Sequence, residues 1–346
     1  MFNAVGKKIL IFAPNFFGYD KAIKKELEKM GAIVHLYDER PRPSSLEKIL
    51  IRKARCLVKH KIRNYYSHIV NKEKLFKPDF ILFINSEAVS RGEISLLKKE
   101  FPHAKLLLYM WDSTKNKKIK QYFGHFDRLY SFDLEDCKKY GMEFRPLFFV
   151  PAFENNKRSN ESSTDKQLTT VGIPQCLDGM YDISFVGTIH SDRAKILLNL
   201  ISFCDINNIS YFIYLYVPGK LMYCLRWLME PSFRKIEKKY IHIKPMKMEE
   251  FAKVSACSRC VLDINHPKQT GLTMRTIEML GLCKKIITTN SKIRHYDFYV
   301  PSNQIIISRN EISIDRENLY KEYIHMDDCL YDKYSIHGWI KDIFNV

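Results

Sequence analysis

Short apolar runs rich in β-branched and aromatic residues recur along the first half of the chain. They cover residues 9–13, 33–37, 80–84, 106–110 and 128–131. Polar, helix-forming stretches separate them, and this alternation is typical of βαβ units. Runs that are apolar throughout predict strands buried on both faces of a parallel sheet. The first half is therefore predicted to be a doubly wound α/β domain.

The same alternation resumes in the second half of the chain. Its apolar runs are residues 183–186, 211–217, 241–243, 261–264, 286–289 and 305–307. Between the halves, residues 154–166 contain no apolar side chain, so burial cannot stabilise an ordered conformation there. We predict one domain at residues 1–152, a linker or long loop at 153–180, a second domain at 181–330, and a closing amphipathic helix at 331–346.

Doubly wound sheets bind ligands outside the carboxyl ends of their strands, so a cleft between two such domains is the expected ligand site. The strongest local signal in the second half reads strand, loop, helix, with Gly271 in the loop. Gly271, Leu272 and Thr273 precede a helical first turn whose N–H groups suit a pyrophosphate. Arg275 adds a positive charge, and Glu278 can accept hydrogen bonds from both ribose hydroxyls. The alternative is an exposed Arg275–Glu278 ion pair on an ordinary amphipathic helix.

A second loop of the same kind follows the first predicted strand of the second half. Gly187 and Thr188 stand at the predicted turn, and Ser191 or Asp192 is a plausible helix N-cap. Arg193 is placed to clamp a diphosphate with two hydrogen bonds. Its alternative role is that of a solvent-facing helix residue beside Asp192. Two such loops together favour a nucleotide site.

Charge limits the classes of partner. The chain carries 56 Lys and Arg against 39 acidic residues, a net charge of +17, which favours nucleic acid, an anionic membrane or phosphorylated substrates. Residues 44–76 interleave basic and apolar side chains at helical spacing. They form either a helix that lies on an anionic membrane or a crossover helix with a solvated basic face. A second mixed patch spans residues 221–239 and includes Trp227.

The expected cellular location rests on three sequence features: membrane-spanning segments, a signal peptide and the spacing of cysteines. No segment has the roughly 18 uninterrupted apolar residues of a membrane-spanning helix, and the N-terminus lacks a signal-peptide core. The nine cysteines show no framework spacing, which is expected of reduced thiols. Cys257 and Cys260 lack the two further ligands of a zinc site. We expect a cytoplasmic protein, either free or peripheral on the inner face of the cell membrane.

Six segments together resemble bacterial GT-B glycosyltransferases of capsule, O-antigen and exopolysaccharide synthesis, related to the CgeB-like spore maturation proteins. The segments are residues 109–113, 145–148, 182–188, 271–278, 287–290 and 296–299. The resemblance implies two Rossmann-like domains facing a cleft, an N-terminal one for the acceptor and a C-terminal one for the nucleotide-sugar donor. It also implies a C-terminal helix that returns to the N-terminal domain. The implied reaction moves a sugar to a glycan or lipid-linked acceptor in lipopolysaccharide or capsule synthesis.

The resemblance carries over to single positions. Glu278 matches the glutamate that holds the donor ribose in GT-B enzymes. Many retaining members have a second glutamate eight residues earlier, where this chain has Thr270, so the stereochemistry stays open. GT-B enzymes generally need no bound metal, and no cofactor is expected here. The sequence has no Asp-x-Asp, and the nearest pattern begins at Asp133, which resembles a helix N-cap.

An inverting transfer also needs a general base for the acceptor hydroxyl. Asp112, Asp20 and Glu87 each follow a predicted strand of the first domain. Asp112 ranks first because it lies in a resembling segment and adjoins Trp111, a ring that can stack on a sugar. The alternatives are a helix cap for Asp20 or Asp112 and simple solvation for Glu87.

Two other classes of function remain open at this point. A sugar-nucleotide epimerase or hydrolase can share the same fold, because fold does not fix chemistry. A nucleic-acid-binding protein would suit the basic composition. However, no recognition motif accompanies the charge, so nucleic acid is not an expected partner.

Overall fold

The computed structural model describes residues 2–41, 55–114, 118–155 and 180–345. The chain divides into two compact units, Met1–Leu147 with Ser335–Val346, and Phe148–Tyr334. Most of the predicted 153–180 loop and the first part of the basic stretch lie outside the described residues.

The first unit contains a parallel sheet with strand order β2-β1-β3-β4-β5-β6. The strands are β1 (Lys8–Ala13), β2 (Ile33–Asp38), β3 (Phe80–Ile84), β4 (Lys105–Met110), β5 (Arg128–Ser131) and β6 (Glu143–Phe144). The first five lie on the predicted apolar runs. The sequence missed β6 because both of its residues are exposed. Strand order reverses between β1 and β3, so their carboxyl ends form a topological switch point.

The helices that cover this sheet are α1 (Tyr19–Lys29), α2 (Lys59–Glu73), α3 (Arg91–Glu100) and α4 (Leu134–Tyr140). Gly18, with a left-handed φ of 83°, occupies the N-cap position of α1. Asp20 therefore lies in the first turn, and its predicted role as a cap is wrong. At α4 the Asp133 side chain accepts from the backbone N–H groups of Glu135 and Asp136, which confirms the predicted cap.

Helix α2 is the described part of the basic stretch at 44–76. Its apolar residues Ile62, Tyr66, Ile69 and Val70 are buried in the core of the first unit. Lysines 59 and 61 and Arg63 lie on the exposed side. The described helix is thus a crossover helix with a solvated basic face, and the apolar face that a membrane would need is already packed.

The second unit contains a parallel sheet with strand order β12-β11-β10-β7-β8-β9. Its strands are β7 (Tyr181–Thr188), β8 (Tyr211–Tyr216), β9 (Ile241–His242), β10 (Ser258–Asp263), β11 (Lys285–Thr288) and β12 (Gln304–Ile306). Each falls on a predicted run, with ends shifted by up to three residues. The order reverses between β7 and β10, which pair with each other. That pair forms the switch point of this unit.

The helices of the second unit flank this sheet. They are α5 (Arg193–Asn207), α6 (Lys220–Met229), α7 (Pro231–Arg234), α8 (Met248–Ala256), α9 (Met274–Gly281), α10 (Arg316–Tyr320) and α11 (Asp328–Lys333). Side chains of α5, β7, β8 and β10 form the main apolar core.

The closing segment contains two helices where one was predicted, α11 and α12 (Ile336–Ile343). The break occurs because Ser335 starts a new helix, its hydroxyl accepting from the N–H of Gly338 across 3.0 Å. Helix α12 belongs to the first unit and contacts α1. The buried Trp339 ring meets Tyr109 edge to face at 4.9 Å.

Cysteine chemistry differs from the prediction at one position. Six described cysteines, including Cys260, are free, but Cys257 is disulfide-bonded. The expectation of reduced thiols is therefore wrong for Cys257, because sequence spacing does not show which sulfurs folding brings together. None of the helices in the described ranges has the length and apolar character to cross a membrane.

Candidate functional site

The candidate site of the second unit lies where β7 and β10 end. Gly187 and Thr188 are the last two residues of β7, so their predicted place in a turn is wrong. A Cβ atom on Gly187 would lie 2.7 Å from the Phe185 ring and 3.3 Å from the Arg193 guanidinium. Glycine at this position lets both side chains pack over the strand end.

Arg193 joins the two strands of the switch point. Its Nη1 donates to the carbonyl of Thr188 (2.8 Å), while Nε and Nη2 donate to the carbonyl of Ile264 (3.0 and 2.5 Å). Arg193 is thus not the solvent-facing residue of the alternative prediction. Carbonyl oxygens satisfy the N–H groups but do not cancel the positive charge. Burial lowers the pKa of Arg193 to about 10, so the group stays charged at neutral pH.

The loop before α9 is anchored to the end of β10. Thr273 is the N-cap of α9, and its hydroxyl donates to Asp263 across 2.7 Å. Thr276 donates to the same carboxylate oxygen at 3.0 Å. Leu272 is 2% exposed, so only its backbone can reach a ligand. The carbonyl of Gly271 accepts from the Asn290 amide at 3.2 Å. These bonds fix the position of the first turn of α9 at the end of β10.

Arg275 and Glu278 form an ion pair with 3.8 Å between Nε and Oε2, and both side chains are largely buried. The pair therefore exists, but it is not the exposed surface pair of the alternative prediction. Arg275 also donates from Nη1 to the carbonyl of Val186 and lies over the Phe251 ring at 4.0 Å. These contacts tie α9 to β7. A ribose at Glu278 would compete with Arg275 for the carboxylate.

A third arginine, which was not predicted from the sequence, lies at this edge. Arg309 donates from Nη1 to both carboxylate oxygens of Asp192 (2.8 and 2.9 Å) and from Nη2 to Asn265. Asp192 holds the N-cap position of α5 but makes no capping hydrogen bond, because Arg309 takes its carboxylate. Arg309 comes just after β12. The other candidate loops were chosen because each follows a predicted strand, and the same criterion points to Arg309.

Two histidines also lie here. The rings of His190 and His266 are 5.7 Å apart. Burial lowers the pKa of His190 to about 4, and the charges of Arg193, His266 and Arg226 act in the same direction. His190 is therefore neutral at neutral pH. Burial, the largest cause, opposes a charge of either sign, and only the smaller effect of the neighbouring basic side chains reflects positive charge at this edge.

In the first unit, the three predicted bases lie at strand ends but in different surroundings. Asp112 accepts from the Asn85 side-chain amide across 2.5 Å. Trp111 is 7% exposed, so its predicted stacking on a sugar is wrong. An exposed ring next to Trp111 is Phe16, and the two ring centroids are 5.8 Å apart. The helix that Asp112 was alternatively predicted to cap falls partly on residues 115–117, outside the described ranges.

Asp20 is buried, and one of its carboxylate oxygens has no hydrogen-bond partner among the described residues. Burial raises its pKa. Glu87 is not simply solvated, because its carboxylate lies 3.9 Å from Arg40. A missed carboxyl, Glu39, accepts from the backbone N–H groups of Glu87 (2.9 Å) and Ala88 (2.8 Å). Burial raises the pKa of Glu39 to about 7. Its position directly after strand β2 is the sequence feature by which it could have been predicted.

Neither a family model nor a curated protein sequence matches this chain. Solved structures are similar in fold, among them a glycosyltransferase from Rickettsia africae (11% identity, TM-score 0.53, covering 98% of this chain and 94% of that one). A second is the Anabaena protein HepE in complex with UDP and glucose (9% identity, TM-score 0.56, 98% and 99%). A third is the UDP-GlcNAc 2-epimerase of Methanocaldococcus jannaschii (12% identity, TM-score 0.52, 99% and 100%). The chain has the α/β GT-B fold, with two Rossmann-like units.

Proposed function

We propose that this protein is a glycosyltransferase that moves a sugar from a nucleotide-sugar donor to a glycan or lipid-linked acceptor in bacterial surface polysaccharide synthesis. The observation that carries the proposal is the arrangement at the β7–β10 switch point. There Arg193 bridges the strand ends, and the first turn of α9 is anchored by Thr273. Switch points of this kind are the usual ligand sites of doubly wound sheets.

The donor diphosphate is assigned to the N-terminus of α9 and the strand ends beside it. Unpaired N–H groups and the helix dipole favour a negative charge at such a place. Arg193 and Arg275 bring two further cations whose hydrogen bonds go to backbone carbonyls. A diphosphate offers them a charged acceptor, and charge-assisted bonds are stronger than bonds to a neutral carbonyl. Glu278 is assigned to the ribose, in exchange for its contact with Arg275.

In the transfer, the acceptor oxygen forms a bond to the anomeric carbon and the bond from that carbon to the diphosphate breaks. The nucleoside diphosphate leaves with the electron pair of that bond, and its charge is stabilised by the arginines and the α9 N-terminus. In an inverting reaction the acceptor proton passes to a carboxylate, for which we assign Asp112. This scheme uses protein cations in place of a metal ion.

The rival proposal is a sugar-nucleotide epimerase, because the chain is also similar in fold to the Methanocaldococcus enzyme. The two activities differ in their need for an acceptor. A panel of nucleotide sugars is incubated with the protein, with and without membrane glycolipid extracts or oligosaccharides as acceptors. A transferase releases nucleoside diphosphate and forms a glycosylated acceptor only when both substrates are present. Conversion of the nucleotide sugar without an acceptor would assign the epimerase or hydrolase instead.

A further inference from the structure

Helix α6 turns an apolar stripe away from the core of its unit. None of its ten side chains is buried. Leu221, Leu228 and Met229 are 76, 67 and 77% exposed, and Leu225 is 43% exposed. Their spacing of four, three and one residues places all four on one side of the helix. We call these four residues the α6 apolar face.

The opposite side of α6 is the attached side. Tyr223 meets the buried Phe233 ring edge to face at 5.5 Å and packs against the apolar core. The polarity of α6 is therefore the reverse of an ordinary surface helix, which turns its apolar side inward. Single exposed apolar residues such as Ile206 on α5 are common on protein surfaces, whereas a contiguous face is the signature of an interaction site.

A belt of positive charge accompanies this face. Residues 220–247 contain two acidic residues and eight basic ones, Lys220, Arg226, Arg234, Lys235, Lys238, Lys239, Lys244 and Lys247. Both acidic residues are already paired, Glu230 with Arg226 and Glu237 with Lys239. The basic side chains other than Arg226 are exposed. Trp227 is half-exposed and lies beside Arg234, one helical turn after Tyr223.

We propose that the α6 apolar face and its basic belt dock this protein onto the surface of an anionic lipid bilayer. Apolar side chains that enter the boundary of the acyl chains, flanked by basic groups that meet anionic headgroups, are the pattern of an interfacial helix. A second copy of this chain is disfavoured as the partner, because a symmetric contact would set two basic belts against each other. The proposal does not depend on the proposed enzymatic activity.

The test is sedimentation of the full chain with vesicles of phosphatidylcholine alone or with 30% phosphatidylglycerol, a composition set by roughly physiological anionic lipid content. The double variant Leu225→Gln with Leu228→Gln removes half of the apolar face without changing the charge. Ile206→Gln is its control, because it removes an exposed apolar side chain of the same unit that lies outside the α6 apolar face. A second double variant, Arg234→Gln with Lys235→Gln, weakens the belt.

We expect the wild type and Ile206→Gln to sediment with anionic vesicles and not with neutral ones, and to be released as salt rises. The partition coefficient should fall by about tenfold or more in each double variant. The proposal is overturned if the wild type stays in the supernatant at low salt, or if the Leu225→Gln, Leu228→Gln variant sediments like the wild type. Loss of a dimer in that variant, seen by light scattering, would assign the face to a second copy and equally overturn it.

Discussion

The side-chain amide of Asn85 donates to the carboxylate of Asp112 across 2.5 Å, and Asn85 holds a left-handed φ of 51°. The two residues follow β3 and β4, which pair in parallel, so their side chains meet at the carboxyl edge of the first sheet. Asparagine tolerates a left-handed conformation better than most residues. Its conformation here turns the amide toward Asp112 and fixes the direction of that carboxylate.

If Asp112 is the base of an inverting transfer, Asp112→Asn should lower kcat by about 10²- to 10⁴-fold, since proton transfer contributes that much. Affinity for nucleoside diphosphate should not change. Asn85→Gly keeps the left-handed backbone but removes the amide, and should lower kcat to a smaller extent. Steady-state kinetics with calorimetry separates the two effects. Unchanged turnover in Asp112→Asn would transfer the role to Asp20 or Glu87, to be tested by Asp20→Asn and Glu87→Gln.

The donor site predicts a loss of nucleotide affinity when α9 loses its charged pair. Arg275→Gln and Glu278→Gln should each weaken nucleoside diphosphate binding by tenfold or more, about the effect of one charge-assisted hydrogen bond. Arg316→Gln is the matched control, because it removes the same charge from an exposed position on α10. Calorimetric affinities that do not differ among the three variants would rule out the proposed site.

Gly187 should not tolerate a side chain. In Gly187→Ala the new methyl group would lie 2.7 Å from the buried Phe185 ring and crowd Arg193. Overpacking of this kind costs roughly 1–3 kcal/mol, so Tm should fall and nucleotide binding should weaken. Gly124→Ala, where a Cβ meets nothing within 4 Å, should leave both unchanged. Equal melting temperatures for the two variants would contradict the packing described for Arg193.

Glu39 predicts a pH-dependent change in stability. Its folded pKa is raised from 4.5 to about 7 by burial, so the folded state holds the proton more tightly than the unfolded state. The stability from this group is complete below about pH 4.5 and is lost as pH rises through about 7. The carboxylate oxygen that accepts both backbone bonds can be replaced by the amide oxygen of glutamine, which does not ionise.

The free energy of unfolding of Glu39→Gln, relative to the wild type, should therefore increase between pH 5 and pH 8, by up to about 3 kcal/mol. Urea unfolding at a series of pH values measures this difference. A difference that stays constant with pH would show that Glu39 ionises normally in the folded protein.

The sequence predicted strands well where both faces are buried, as in β1 and β3, because a continuous apolar run is then required. The exposed strand β6 was not predicted. The predicted run at β7 stopped before Gly187, because glycine has no side chain and so adds nothing to an apolar run. Periodicity also could not show which side of a helix is attached. The apolar face of α2 is packed in the core, whereas that of α6 is exposed.

The residue types of the donor site were predictable, but their contacts were not. Arg193 was selected from its position after a strand, yet its acceptor at Ile264 lies 71 residues away in the sequence. Only the pairing of β7 with β10 brings them together. The same holds for Arg309 and Asp192, which are 117 residues apart. Local patterns indicate where strand ends occur, and the sheet order decides which of them meet.

The proposed donor site can be tested by a crystal structure with the nucleoside diphosphate that gives the largest thermal shift in a panel of UDP, GDP, dTDP and CDP. The proposed donor site requires the diphosphate to lie at the ends of β7 and β10, within hydrogen-bond distance of Arg193 and the first turn of α9, with the ribose at Glu278. A diphosphate bound elsewhere on the molecule, or a panel in which no nucleotide binds at millimolar concentration, would contradict it.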